Sequence, residues 1–277
     1  MLDLGRTFLQ AVEREPKRLA IVDGSRRLTY EEWAAHIGAI QDFFYKQGLR
    51  QGDRILTILQ NRYEAATIHW ACQMAGIAIV PLNWRSKPEE IDYCAQNADV
   101  KLAFVEEISL KNFQDSETSK SIKVILCGDA NSLAGQMYFG DLVKSGVDPI
   151  ANGAVEDISV MLFTSGTTGK PKGVPRKQRA ERAAGIAHVA QNQYAMGEVT
   201  LGVMPLYHTM GVRTLLSLCI VNGTYVAVPR WDIDKALDAI EAEKVTHLYL
   251  VPTLYHDMLG SKNFHDSRVK SVDRKSV

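Results

Sequence analysis

Thr164, Ser165, Thr167 and Thr168 set four hydroxyls among Gly166, Gly169 and Gly173, with Lys170 and Lys172 beside them, in the run Phe163-Thr164-Ser165-Gly166-Thr167-Thr168-Gly169-Lys170-Pro171-Lys172-Gly173-Val174. Glycines at such points admit backbone turns that a side chain would forbid. Successive backbone N–H groups in a loop of this kind make a concavity for anions, which hydroxyls and ammonium groups complete. The apolar run Ile158-Ser159-Val160-Met161-Leu162-Phe163 ahead of it predicts a buried strand. A strand delivering that loop points to the handling of a triphosphate. The spacing excludes an ordinary P-loop, which needs four residues between its first glycine and Gly-Lys-Ser/Thr; here two separate Gly166 from Gly169, and Pro171 follows Lys170.

His208 is the second candidate. It closes Pro205-Leu206-Tyr207-His208 after the apolar run Val199–Met204, a place where a lone histidine by itself reads as structural. Thr209, Met210 and Gly211 follow it, and Tyr249 lies on a later apolar run. Met210 and Tyr249 offer polarizable, flat surface suited to an aromatic or apolar ligand, with core packing as the alternative. His36, His69, His188, His247, His256 and His265 have no comparable context and read as structural or exposed. Cys72, Cys94, Cys127 and Cys219 are scattered without a CxxC or Cys/His cluster, so zinc and redox motifs are excluded. No nucleophile elbow or triad is present.

The elements that must position these residues alternate. Apolar positions Leu4, Phe8, Leu9 and Val12 mark a helix; Leu19–Gly24 and Leu28–Tyr30 read as a strand and its return. Thr29 with Glu32 forms a capping-box signature for a helix ending near Gly48. Strands follow at 53–59, 77–81 and 101–105, with helices at 64–75 and 88–97 between and after them. Asp115–Lys120 reads as a loop. Beyond the glycine-rich run come a helix over 180–193, a strand over 199–204, a helix over 212–221, a strand over 224–228, a helix over 233–243 and a strand over 247–251. Strands alternating with helices predict an α/β fold of βαβ units, largely parallel and covered by helices. Two α/β subdomains are expected, 1–150 and 151–277.

The 163–174 run closely resembles the phosphate-binding loop of the adenylate-forming superfamily, which contains acyl- and aryl-CoA synthetases, luciferases and peptide-synthetase adenylation domains. Asn61-Arg62-Tyr63-Glu64-Ala65, Ala75-Gly76, Val80-Pro81-Leu82-Asn83-Trp84-Arg85 and Pro205–His208 resemble its other blocks in family order. Pro205–Gly211, Asn222–Val228 and Gln178-Arg179-Ala180 look most like the 4-chlorobenzoate/benzoate–CoA ligase branch. The resemblance implies the large N-terminal domain of such an enzyme, incomplete at its end. It implies ATP, Mg2+ and CoA as reactants with a small carboxylic acid. Thr164, Ser165, Gly166, Thr167, Thr168, Gly169, Lys170 and Lys172 would hold the phosphates, with Thr164 beside the metal and Lys172 supplying charge. His208 would position the carboxylate, and His208, Thr209, Met210, Gly211 and Tyr249 would line the acid's pocket.

The family's chemistry suits that inventory. A carboxylate is a poor acylating agent; its attack on the α-phosphorus of ATP gives an acyl-adenylate with a good leaving group, which a thiol then displaces. The protein's task is alignment and charge neutralisation, so no serine or cysteine nucleophile is required. The family's adenine, ribose and magnesium segments and its C-terminal lid domain with a catalytic lysine do not occur in these 277 residues. The expectation is therefore a CoA ligase represented by its N-terminal portion and inactive alone; the alternative is a truncated remnant that only binds. Equal basic and acidic counts, 32 each, give no reason for a nucleic-acid partner. The lack of a signal-like N-terminus or membrane-length apolar run predicts a cytoplasmic setting. A homo-oligomer is left open.

Overall fold

The computed structural model describes residues 2–128, 136–164 and 170–276. The chain opens with α1 (Leu4–Arg14), β1 (Leu19–Asp23), β2 (Arg26–Thr29) and α2 (Tyr30–Lys46). The capping box starts α2: the Thr29 N–H donates to Glu32 Oε2 at 2.8 Å, and the Glu32 N–H to Thr29 Oγ1 at 3.4 Å. Alternation continues through β3 (Arg54–Ile58), α3 (Tyr63–Ala75), β4 (Ala78–Leu82), α4 (Pro88–Ala98), β5 (Leu102–Glu106) and α5 (Glu107–Gln114). Next come β6 (Lys123–Cys127), β7 (Met137–Tyr138), α6 (Phe139–Leu142), β8 (Ile158–Thr164) and β9 (Lys172–Lys177). Then follow α7 (Gln178–Gln191), β10 (Val199–Gly202), α8 (Thr209–Ile220) and β11 (Thr224–Ala227). The last elements are α9 (Ile233–Glu243), β12 (His247–Tyr249), α10 (Pro252–Leu259) and β13 (Arg274–Ser276).

Two compact units share these elements: Met1–Leu9, Ala34–Gln60 and Glu64–Arg182 make the first, and Gln10–Trp33, Asn61–Tyr63 and Ala183–Val277 the second. Packing thus divides the chain differently from the expected 1–150 and 151–277. β8 pairs with β4 and so belongs to the first sheet, while β1 pairs with β11 and belongs to the second. Strand partnership, which linear periodicity does not encode, sets the units.

The first unit's sheet has the order β7-β6-β5-β3-β4-β8-β9, parallel except for the β8–β9 pair. Leu56, Ile58, Val80, Leu82, Ala103 and Val105, at the strand period of two, face Ile91, Cys94, Ala95 and Ala98 of α4 and Phe113 of α5. Phe104 points to the other face, where Phe43 and Phe44 of α2 meet its ring at 6.4 and 6.2 Å. Burial on both faces explains why these strands read as continuous apolar runs.

The second unit's sheet runs β13-β12-β10-β11-β1-β2, parallel except for the β1–β2 hairpin. Ala236, Leu237 and Ile240 of α9 cover Val22, Leu201, Val226 and Leu248. The largely parallel α/β class is therefore as expected. Two local expectations change: the helix placed over 212–221 begins at Thr209, and the segment 115–120 contains a 3₁₀ turn at Glu117–Lys120. The polar residues after 265 contribute β13, parallel to β12. Alternating side chains hid β13: Arg274 and Ser276 turn inward, where polar partners receive them.

Candidate functional site

In the first unit the glycine-rich run joins two antiparallel strands rather than a strand and a helix. The register pairs Thr164 with Lys172, Phe163 with Gly173 and Leu162 with Val174. The two ends of the loop therefore leave the sheet side by side, Thr164 and Lys172 on the last rung. Both are exposed, as is Lys170, whose Nζ lies 5.5 Å from the ring centre of Tyr93. The expected phosphate ligands Ser165, Gly166, Thr167, Thr168 and Gly169 lie outside the described residues. Behind the hairpin, Arg176 Nε meets the fully buried Glu181 at 2.5 Å, and Lys177 and Arg179 both reach Glu156, at 2.7 and 2.9 Å. These pairs fix the base of β9 and leave Lys170 and Lys172 without an ion pair among the described residues.

In the second unit, β10 delivers the 203–208 segment to the start of α8. His208 is the N-cap of that helix, extended at φ −127° and ψ 153°, and its N–H donates to Pro205 O at 2.9 Å. Its side chain makes no cap bond; the ring is exposed and lies 4.7 Å from that of Tyr207. Loss of hydration on its packed side lowers its pKa below the ordinary histidine value.

Asn61 holds this segment, a role its sequence context did not disclose. Its Nδ2 lies 2.9, 2.9 and 2.8 Å from the carbonyl oxygens of Gly202, Val203 and Met204, and its Oδ1 accepts from the Leu206 N–H at 3.0 Å. A buried loop must satisfy its backbone polar groups, and this amide does so for several at once. Gly211 is buried against the same turn: a Cβ there would stand 2.2 Å from Pro205 O and 2.4 Å from Met204 O. Its lack of a side chain allows this close packing. Thr209 and Met210 are half-buried.

Tyr249 is buried, and its ring rests on that of His188 at 4.6 Å. His188 and His247, expected to be structural or exposed, form a connected interior chain. Asn192 Nδ2 reaches His188 Nδ1 at 3.2 Å, His188 Nε2 meets Tyr194 Oη at 3.1 Å, and Tyr194 Oη meets His247 Nδ1 at 2.8 Å. His247 Nε2 ends on Ser276 Oγ at 2.9 Å. An amide N–H can only donate, so the donors run in one direction, from Asn192 to Ser276, with both imidazoles neutral. Burial holds them so, lowering His188 to about 4, helped by the charge of Arg213, and His247 to about 3. Neither histidine carried a signal in the sequence, since their partners stand on other elements.

Each unit is thus a largely parallel α/β sheet, with β8 and β9 flanking the glycine-rich run in the first and His208 capping α8 in the second. The chain belongs to the AMP-binding enzyme family, whose model matches residues 8–277. It is similar to 4-hydroxybutyrate–CoA ligase 2 of Metallosphaera sedula, 27% identical over 249 residues, covering 86% of this chain and 45% of that protein. It is also similar to 4-chlorobenzoate–CoA ligase of an Arthrobacter species, 25% identical over 268 residues, covering 95% and 50%. The chain spans about half the length of the curated relatives it matches. Its fold is that of ATP-bound MatB from Rhodopseudomonas palustris, with TM-score 0.83 at 23% identity over 98% of this chain and 54% of that one. Among the described residues no helix is long and apolar enough to cross a membrane, and no group of three or more His, Cys, Asp or Glu could hold a metal.

Proposed function

We propose that the protein to which this chain contributes is an AMP-forming acid–CoA ligase, activating a compact aryl or medium-chain carboxylic acid with ATP and passing it to CoA. The observation that carries this reading is the β8–β9 pairing, which sets Thr164 and Lys172, the latter with no ion pair among the described residues, at the two feet of the glycine-rich loop. Lys172 and Lys170 would neutralise the β- and γ-phosphates while the loop's N–H groups and hydroxyls approach them. Mg2+ fits this donor set only as a guest of the nucleotide: one hard hydroxyl from Thr164, phosphate oxygens and retained waters suit its octahedral shell. Bound there, it would supply charge neutralisation at the phosphates. His208, at the start of α8, would orient the acid's carboxylate, and Asn61 would hold the segment that carries it. Thr209 and Met210, on the next turn, would face the acid's side chain.

Acid-dependent pyrophosphate exchange, measured on the protein that includes this chain, tests the reading. We expect exchange with at least one aryl or medium-chain acid and its loss in Lys172→Ala. Absence of exchange with every acid in the panel would refute it. The 277 residues alone, given ATP, Mg2+, CoA and the same acids, should form no acyl-CoA, because they span about half the length of the curated relatives. Turnover by this piece that Lys172→Ala abolishes would overturn that expectation.

A further inference from the structure

Arg213 carries an unanswered charge in the second unit. It stands on α8 four residues after Thr209 and three after Met210, so the three share one face of the helix. That face is the half-buried one; Gly211, Val212, Thr214 and Leu215 between and beside them are buried in the core. The Nε of Arg213 is inaccessible to solvent and bonds to nothing, and the guanidinium has no carboxylate partner among the described residues. Thr214 and Ser217 turn their hydroxyls back to the carbonyls of Met210 and Arg213 and offer it nothing. Its neighbour His188 is neutral, occupied on both nitrogens by Asn192 and Tyr194, and backs the ring of Tyr249.

An arginine stays charged at every physiological pH, and its buried Nε–H lacks an acceptor among the described residues, which is costly. An anion entering this face would supply that acceptor. We propose that Arg213 is the specificity-determining residue of the acid pocket and selects acids bearing a second carboxylate remote from the one activated. This rests on the acid–CoA ligase reading and on Thr209 and Met210 lining the pocket. The first carboxylate meets the His208 end of α8, and the second meets Arg213 one turn further along. A rigid benzene-1,4-dicarboxylate has the length and flatness for that span; 4-methylbenzoate has the same shape without the second charge.

Calorimetric titration of the protein that includes this chain, with a non-hydrolysable ATP analogue and Mg2+ present, tests the proposal using those two acids. The dicarboxylate should bind about tenfold or more tightly than 4-methylbenzoate, since a charge-assisted fork is gained. Arg213→Met should abolish or invert that ratio, and Arg213→Lys should keep part of it. Thermal melting supplies the second readout. Arg213→Met, relieved of an unpaired cation, should melt no lower than the parent, and the dicarboxylate should raise the parent's midpoint but not the variant's. Binding of 4-methylbenzoate as tight as the dicarboxylate, or an unchanged ratio in Arg213→Met, overturns the proposal and leaves the ligase reading intact. Equal loss of affinity for ATP alone in Arg213→Met would assign the guanidinium to the nucleotide and also overturn it. Failure to bind any acid overturns both.

Discussion

Replacing Asn61 by alanine removes one amide and strips partners from a whole turn. Its two amide hydrogens serve three carbonyls, of Gly202, Val203 and Met204, so at most two full bonds are donated; a third bond is accepted from Leu206. Three buried bonds at about 1 kcal/mol each come to about 3 kcal/mol, and carbonyls left dry would add to this. In a chain of this size that loss lowers the thermal midpoint by roughly 6–12 °C. Asn61→Asp is the sharper probe. It keeps the acceptor for Leu206 but turns a carboxylate oxygen toward three carbonyls, so at neutral pH it should be at least as damaging as alanine. Those carbonyls favour the protonated acid, which can donate to one of them, and so raise the pKa of the introduced carboxyl above its unfolded value. The deficit of Asn61→Asp relative to the parent should therefore shrink as pH falls through that raised pKa. Urea unfolding of parent and both variants, from about pH 4.5, just above the ordinary carboxylate pKa, to about pH 8, measures this. A loss below about 1 kcal/mol for alanine, or an Asn61→Asp variant as stable as the parent at neutral pH, would refute the clamp.

Three further expectations concern other parts of the molecule. His69, fully buried with its Nε2 unpaired, has its pKa lowered to about 4 by burial. It folds neutral, so its contribution is constant above the unfolded pKa of 6.5 and falls away as pH drops toward 4, by about 3 kcal/mol. Urea titrations should show that slope reduced in His69→Gln, and an unchanged slope would count against it. Gly211→Ala should destabilise by about 1–3 kcal/mol, because its methyl would meet the Pro205 and Met204 carbonyls; a neutral effect on denaturant midpoint would contradict the packing. Lys172→Ala should cost roughly 100-fold or more in turnover of the ligase with little change in melting, since its ammonium is exposed and has no ion pair among the described residues.

Much of the fold was legible because it is written locally. The capping box at Thr29 and Glu32, the apolar runs of β3, β4 and β5, and the helical apolar spacing of α9 each need only a few neighbouring residues to be read. The motif that identifies the family is equally local: its hydroxyls, glycines and lysines are contiguous in residues 163–174. The position of Thr164 at the end of β8 followed from the same apolar run, whereas strand β9, which begins at Lys172, and the start of α8 directly after His208 did not.

What the sequence determined by itself is the alternation of elements and, through the motif at 163–174 and its companion blocks, the family. Only the tertiary structure decided which strands share a sheet, so that residues 158–177 close the first unit and residues 19–29 the second. It also decided that Asn61 serves carbonyls 141 to 143 positions away, that His188, Tyr194, His247 and Ser276 form one proton-ordered chain, and that the buried Nε of Arg213 has no partner among the described residues. The physical reason is common to all of these. Side-chain periodicity reports which face of an element is buried, whereas a hydrogen-bond partner or a missing counter-charge depends on residues brought together by packing from distant parts of the chain.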